Sequence, residues 1–159
     1  MKILVASDLH GKQVSIETIS KFASDLFPDA LVLCGDITDF GNPPTYLSEI
    51  KKKFSIPVIA IHGNCDHKNI ENDLEKNSIS SIHAKKHTLA GHTFIGFGGA
   101  SYHFMGGEIQ FAESDLLKIL DPIMETDSIL VTHNPVYGIL DKIRIVRTHV
   151  GSKTLREIV

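Results

Sequence analysis

Four short polar motifs in this 159-residue chain carry groups able to ligate a metal ion, and each stands where a hydrophobic run ends. Asp8-Leu9-His10 follows Ile3-Leu4-Val5-Ala6, and Gly35-Asp36-Ile37-Thr38-Asp39 follows Leu31-Val32-Leu33-Cys34. Gly63-Asn64-Cys65-Asp66 follows Val58-Ile59-Ala60-Ile61, and Thr132-His133-Asn134 follows Ile129-Leu130-Val131. Residues i and i+2 leaving a strand point to the same side, so Asp8 and His10 can reach one ion. Taken singly, each motif has a structural reading: Asp8 and Asp36 in turns, Asn64 as a turn former, Asp39 bonding backbone amides, His133 covering a sheet end. Their conjunction points elsewhere. Asp8 to Asp36 and Asp36 to Asn64 each span 28 residues, one strand-helix unit apiece. Carboxylate, amide oxygen and imidazole together suit manganese, iron, zinc or a related ion. A bridging carboxylate at Asp36 would hold two ions about 3.5–4 Å apart, the spacing of two-metal phosphoester hydrolysis.

Such a site needs strands that end at one sheet edge. Hydrophobic runs rich in β-branched residues read as buried strands, and ligands of α/β sheets sit beyond the carboxyl ends of strands. The strand over 2–6 is followed by a helix over Val14 to Phe27, whose apolar residues fall at 16, 19, 22, 23, 26 and 27. A strand over 30–34, a helix from about Thr45 to the lysines at 51–53 and a strand over 57–61 complete a β-α-β-α-β run, which implies parallel strands. A short helix is expected near 69–76. Lys86 to Leu89 and His92 to Phe97, joined at Ala90-Gly91, read as an antiparallel hairpin. Glu113 to Leu120 reads as a helix, 128–132 as a strand, and Ser152 to Val159 as a helix with Ser152 as N-cap.

Bulk properties narrow the functional classes. Hydrophobic content of 42% and charged content of 22% are ordinary for one globular domain. The net charge of −3 offers no basic field for nucleic acid, and Lys51 to Lys53 and Lys85-Lys86 read as solvated faces. No run approaches the roughly 18 apolar residues of a membrane span. Two cysteines, each at a strand end, do not make a secreted disulfide framework, so the expected compartment is the cytoplasm. Triphosphatase, dinucleotide and serine-hydrolase motifs are absent from the sequence. Of nine histidines, His62, His83, His87 and His92 lack a ligand-like context and read as structural or exposed. Tyr102-His103-Phe104, between two glycine pairs, reads equally as a substrate-contacting edge or as packing.

In order, D-x-H, G-D-x-x-D, G-N-x-D and T-H resemble the calcineurin-like metallophosphoesterases over nearly the whole chain, in the G-N-C-D variant of small prokaryotic phosphodiesterases. The resemblance implies an α/β fold, a two-sheet sandwich flanked by helices in four αββα layers, as a single domain over 1–159. It implies that Asp8, His10 and Asp36 hold one divalent ion and Asp36, Asn64 and His133 the other. Manganese is the first expectation, with iron, zinc or nickel as alternatives. A hydroxide between the ions would attack phosphorus in line while both ions neutralise the phosphoryl oxygens. Around it, Asn64, Asp66 and His67 form the expected catalytic set, with Asp66 supporting its loop. His67, otherwise an exposed loop histidine, is the candidate for supplying a proton to the leaving group. The substrate implied is a small or nucleotide-like phosphoester.

Two departures from the family pattern matter. The family completes its site with a G-H-x-H motif after a last strand, and none follows His149; His149 to Glu157 matches the helix that precedes it. The expectation is a chain whose C-terminal part is missing; the alternatives complete the site with water or with another subunit. An uncovered sheet edge would then favour a homodimer or low solubility. The second departure is Cys65, where many members have histidine. A thiol is a weak hydrogen-bond donor with a pKa near 8.5, which favours esters with good leaving groups. Two rival readings stand beside the enzyme: a catalytically impaired metal-binding or interaction module of the same fold, and a nuclease-type phosphodiesterase.

Overall fold

The computed structural model of the chain describes residues 1–101, 106–143 and 147–159. The segment Tyr102-His103-Phe104 lies outside the described residues. In the first half, strands and helices alternate as β1 (Ile3–Ala6), α1 (Gln13–Leu26), β2 (Ala30–Cys34), α2 (Tyr46–Lys53), β3 (Val58–Ile61), α3 (Ile70–Lys76) and β4 (Ser80–Ser81). These strands pair in chain order, all parallel, as the helical crossovers require. The second half contains β5 (Lys86–Leu89), β6 (His92–Phe97), β7 (Ala100–Ser101), β8 (Gln110–Phe111), α4 (Glu113–Leu120), β9 (Ile129–Thr132) and α5 (Lys153–Ile158). β5 and β6 form the expected antiparallel hairpin; Ala90 and Gly91 both take positive φ, 49° and 78°, as a two-residue hairpin turn demands. β9 adds to β6 in parallel, giving a three-stranded sheet in the order β5-β6-β9.

Alternation along the strands builds the layers. Leu31 and Leu33 of β2 face the helices, packing with Ile16, Ile19, Ile50 and Leu74. Val32 faces the other way, into a cluster shared with Ile59, Ile61, Phe94 and Val131 that glues sheet to sheet. Ile95 and Phe97 then turn outward onto Leu116, Leu120 and Leu155 of α4 and α5. Helices, sheet, sheet and helices therefore stack in that order, the αββα sandwich.

Three sequence expectations change. The run Ile3-Leu4-Val5-Ala6 is an edge strand, and Val5 is 54% exposed rather than buried. Ile3 packs into the inter-sheet cluster, but the three-stranded sheet leaves Val5, two residues on, uncovered. The apolar stripe of α1 is buried only at Ile16 and Ile19; Phe22, Leu26 and Phe27 are exposed by 54%, 45% and 80%. Periodicity states which residues share a face, and here only Ala23 of the last turns of that face packs against the core. The two-residue strands β4, β7 and β8 are too short for any periodic signal.

Candidate metal centre

The loops beyond β1, β2, β3 and β9 converge at one end of the sandwich. Asp8, His10 and Asp36 all adopt positive φ, 58°, 47° and 49°, a conformation that non-glycine residues hold only when neighbours enforce it. The enforcement is visible in the backbone. Asp8 N–H donates to Gly35 O at 3.1 Å, His10 N–H to Asp36 O at 2.9 Å and Gly11 N–H to Ile37 O at 2.9 Å, lacing the first two motifs together. Gly63 lets the third motif approach the second, since a Cβ there would overlap Asp36 Oδ1 and N. Gly35 does the same for the fourth: its Cβ would come 2.6 Å from His133 Nδ1.

Asp66 is the fully buried fastener of this assembly. Its Oδ1 accepts from Thr38 N and Thr38 Oγ1, both at 2.8 Å, and its Oδ2 accepts from Ile37 N at 3.2 Å and Gly63 N at 2.9 Å. One carboxylate thus ties the loop after β2 to the loop after β3. This fits the expected supporting role, and Asp66 does not line the site cavity.

The ligand candidates meet around Asp36, which is 4% exposed. Asp36 Oδ1 accepts from Cys65 N–H at 2.8 Å and stands 3.5 Å from His133 Nε2, while Oδ2 stands 3.7 Å from His10 Nε2. His10 Nε2 lies 3.9 Å from Asp8 Oδ1. The side chains of Asp8 and His10 remain 60% and 30% exposed, so this half of the site opens to solvent. Asp8, Asp36 and His133 form one ligand group whose atoms lie within 4.8 Å of one another, and His10, Asp36 and Cys65 form a second. Asp36 is common to both, the position that a bridging carboxylate would occupy. Asn64 directs its Nδ2 to Gly106 O at 3.0 Å, which leaves its Oδ1 3.1 Å from His133 Nε2.

The tautomer of His133 decides what this convergence means. Its Nδ1 lies 2.8 Å from Cys34 O, and a carbonyl can only accept, so Nδ1 carries the proton. The Nε2 of the neutral ring is then a bare lone pair, facing Asp36 Oδ1 and Asn64 Oδ1. Nε2 thus faces two oxygen acceptors, of which Asp36 Oδ1 already takes the Cys65 N–H, and a cation between them satisfies all three atoms. The Cys34 carbonyl stands where the outer partner of a metal-ligating imidazole would stand. The residues present therefore fit a divalent ion.

A cavity of about 240 Å³ opens here, walled by Asp8, Asp36, Asn64, Ser101, His133 and Val150 among others. His67 stands outside these walls, with its Nε2 3.0 Å from Asp73 Oδ2 on α3. The sequence suggests no more for Cys65 than a weak proton donor, yet its sulfur belongs to the His10 group. Burial, and then a hydrogen bond with Asp36, push its thiol up to about 12, so the group stays protonated. The sequence carries no signal for the outer contacts: Asn134 Oδ1 accepts from Ser101 N–H at 3.3 Å, and Gly106 O holds Asn64.

A third cluster, His62, Glu71 and His83, lines a separate cavity with Phe97 and Phe111. His83 Nδ1 accepts the Gly98 N–H at 2.9 Å, which places the ring proton on Nε2 and removes that nitrogen from ligation. These rings are packing elements, stacked 4.4 Å apart. Burial, reinforced by His62, lowers the pKa of His83 to about 4. An unfolded histidine titrates near 6.5, so the unfolded chain binds this proton first as pH falls. The contribution of neutral His83 is complete above pH 6.5 and is lost toward pH 4, on the order of 3 kcal/mol in all. The melting temperature should therefore fall between pH 6.5 and 4, and less steeply in His83→Gln; parallel profiles for the two proteins would refute this origin.

Comparison with known proteins bears on the fold and the family. The sequence profile of the calcineurin-like phosphoesterases matches residues 1–159. An uncharacterised protein of Methanocaldococcus jannaschii is 30% identical over 164 aligned residues, covering 100% of this chain and 73% of that protein. Among solved structures, a protein of Thermus thermophilus superposes with a TM-score of 0.72 at 16% identity, over 98% of this chain and 75% of that one. An archaeal phosphodiesterase superposes with a TM-score of 0.53 at 15% identity, over 94% and 97% of the two chains.

Proposed function

Since the chain belongs to the calcineurin-like phosphoesterases, we propose that it hydrolyses small or nucleotide-like phosphodiesters at a centre of two divalent ions, manganese first among the candidates. The observation that carries this reading is the convergence of His133 Nε2, Asp36 Oδ1 and Asn64 Oδ1 on one point. In it, Asp8, His10 and Asp36 hold one ion, and Asp36, Asn64 and His133 the other. When bound, such ions supply an activated water nucleophile at neutral pH and neutralise phosphoryl charge.

The chain's own groups do the remaining work. Cys34 O fixes the His133 ring, and Gly106 O turns the Asn64 amide so that its oxygen faces His133 Nε2 and the ion that the two would share. Asp66 holds the loops in register. A thiol is a weak hydrogen-bond donor to a poor leaving group, and the His67 ring pairs with Asp73. Activated aryl esters are therefore the better substrates. In this reading the protein works in the cytoplasm, with a homodimer as its expected assembly.

Hydrolysis of bis-p-nitrophenyl phosphate tests the reading: turnover should appear with manganese, vanish with EDTA and return when manganese is restored. The exposure of Asp8 and His10 favours a second reading, a metal-binding module without turnover. Calorimetric manganese binding with no hydrolysis would select it.

A further inference from the structure

Beside the metal cavity lies a second chamber of about 370 Å³, lined by Ser101, Glu113, Tyr137, His149, Val150 and Lys153 among others. Ser101 and Val150 wall both cavities, so the two adjoin. The chain builds the chamber by bringing residues 135–143 and 147–152 together. Tyr137 N–H donates to Ser152 O at 3.0 Å, and Val150 N–H donates to Asp141 O at 3.0 Å. Gly151 permits the approach, since a Cβ there would stand 2.5 Å from Tyr137 N.

The side chains on this frame are held in place. Asp141, 3% exposed, lies 2.6 Å from His149 Nδ1 through Oδ1 and accepts the Gly151 N–H at 3.1 Å through Oδ2. Burial works against its ionisation, but the Gly138 amide, the imidazole and the Gly151 amide hold the carboxyl below its usual range. The carboxylate thereby fixes the His149 ring with its proton on Nδ1. That ring packs against Tyr137 with centroids 5.0 Å apart, and Lys153 Nζ lies 5.5 Å from the Tyr137 centroid. Tyr137 is 37% exposed and the His149 side chain 31%, so both present ring surface.

We propose that this chamber is the subsite for one ester arm of the diester, and that the arm it takes is a nucleoside. The inference rests on the phosphodiesterase reading and deepens it. A diester has two arms; with phosphorus in the metal cavity, an arm directed away from the solvent-open Asp8 side reaches the chamber across the Ser101–Val150 wall. Two aromatic rings ask for a flat aromatic partner, and the volume is near the lower end of the roughly 300–1,000 Å³ typical of small-ligand pockets. The charge of Lys153 is balanced by Glu113 in the same wall, which argues against a second phosphate. Lys153 and His149 instead supply polar atoms for the edge of a base.

The test compares p-nitrophenyl thymidine 5′-phosphate with p-nitrophenyl methyl phosphate, which share a leaving group and differ only in the other arm. The nucleoside diester should have the higher kcat/KM, chiefly through KM. Tyr137→Ala should shrink the ratio about 10-fold, in line with base–aromatic stacking, and Tyr137→Phe should restore it. A ratio near one in the parent protein, or one unchanged in Tyr137→Ala, overturns the subsite. Binding of thymidine 5′-phosphate in EDTA, followed by NMR line broadening, decides the matter independently of turnover. Broadening lost in Tyr137→Ala supports the subsite even if neither diester is hydrolysed, which would count against the phosphodiesterase reading alone. No broadening at millimolar ligand overturns it.

Discussion

Asp36→Ala is expected to abolish manganese-dependent hydrolysis of bis-p-nitrophenyl phosphate while leaving the chain folded. Asp36 is the residue common to both ligand groups around the site, so its loss removes a ligand from each ion. Outer-sphere partners of metal ligands already cost roughly 10–100-fold when removed, so loss of the shared ligand should exceed 100-fold. Its side chain also accepts the Cys65 N–H, which becomes available to water at the site mouth, so the stability effect should be modest. The two readouts together are informative. Turnover retained within a few-fold in a folded variant would remove Asp36 from the metal centre and with it the dinuclear reading.

The largest stability effect is expected at Asp66. Asp66→Ala leaves three backbone N–H groups and the Thr38 hydroxyl without their acceptor in a region closed to water. Each unsatisfied buried donor costs about 1–3 kcal/mol, but the loop will relax and recover part of this, so a net loss on the order of 3–5 kcal/mol is expected. For a chain of this size that corresponds to roughly 10 °C in melting temperature. Activity should fall with it, because the same bonds set the positions of Asp36 and Asn64. Asp66→Asn should be intermediate, since its amide oxygen can serve one pair of donors while its NH₂ opposes the other. An Asp66→Ala variant that melts with the parent protein would show that the loops hold themselves without this carboxylate.

These two aspartates illustrate how differently a sequence speaks about ligands and about their supports. Asp36 was legible because its type, its place after a hydrophobic run and its 28-residue spacing from Asp8 and Asn64 all pointed one way. Asp66 was legible as a loop support, but its partners were not: Ile37 and Thr38 lie 29 and 28 residues away. His67 fits the pattern of an acid by its place in the chain, yet its ring pairs with Asp73, six residues on. A rotamer chose that partner, and sequence spacing does not encode rotamers.

The sequence by itself determined the strand-helix alternation, the hairpin at Ala90-Gly91, the Ser152 cap and the set of groups brought to one sheet edge. Those are local or periodic properties, written in residue type and spacing. Only the tertiary structure decided that Val5 and the C-terminal end of the apolar stripe of α1 stay exposed, because burial depends on what another layer covers. It alone decided the His133 tautomer, through a carbonyl 99 residues away, and the second chamber behind Val150. Both arise where backbones distant in sequence approach within hydrogen-bond reach, a relation that no short run of residues carries.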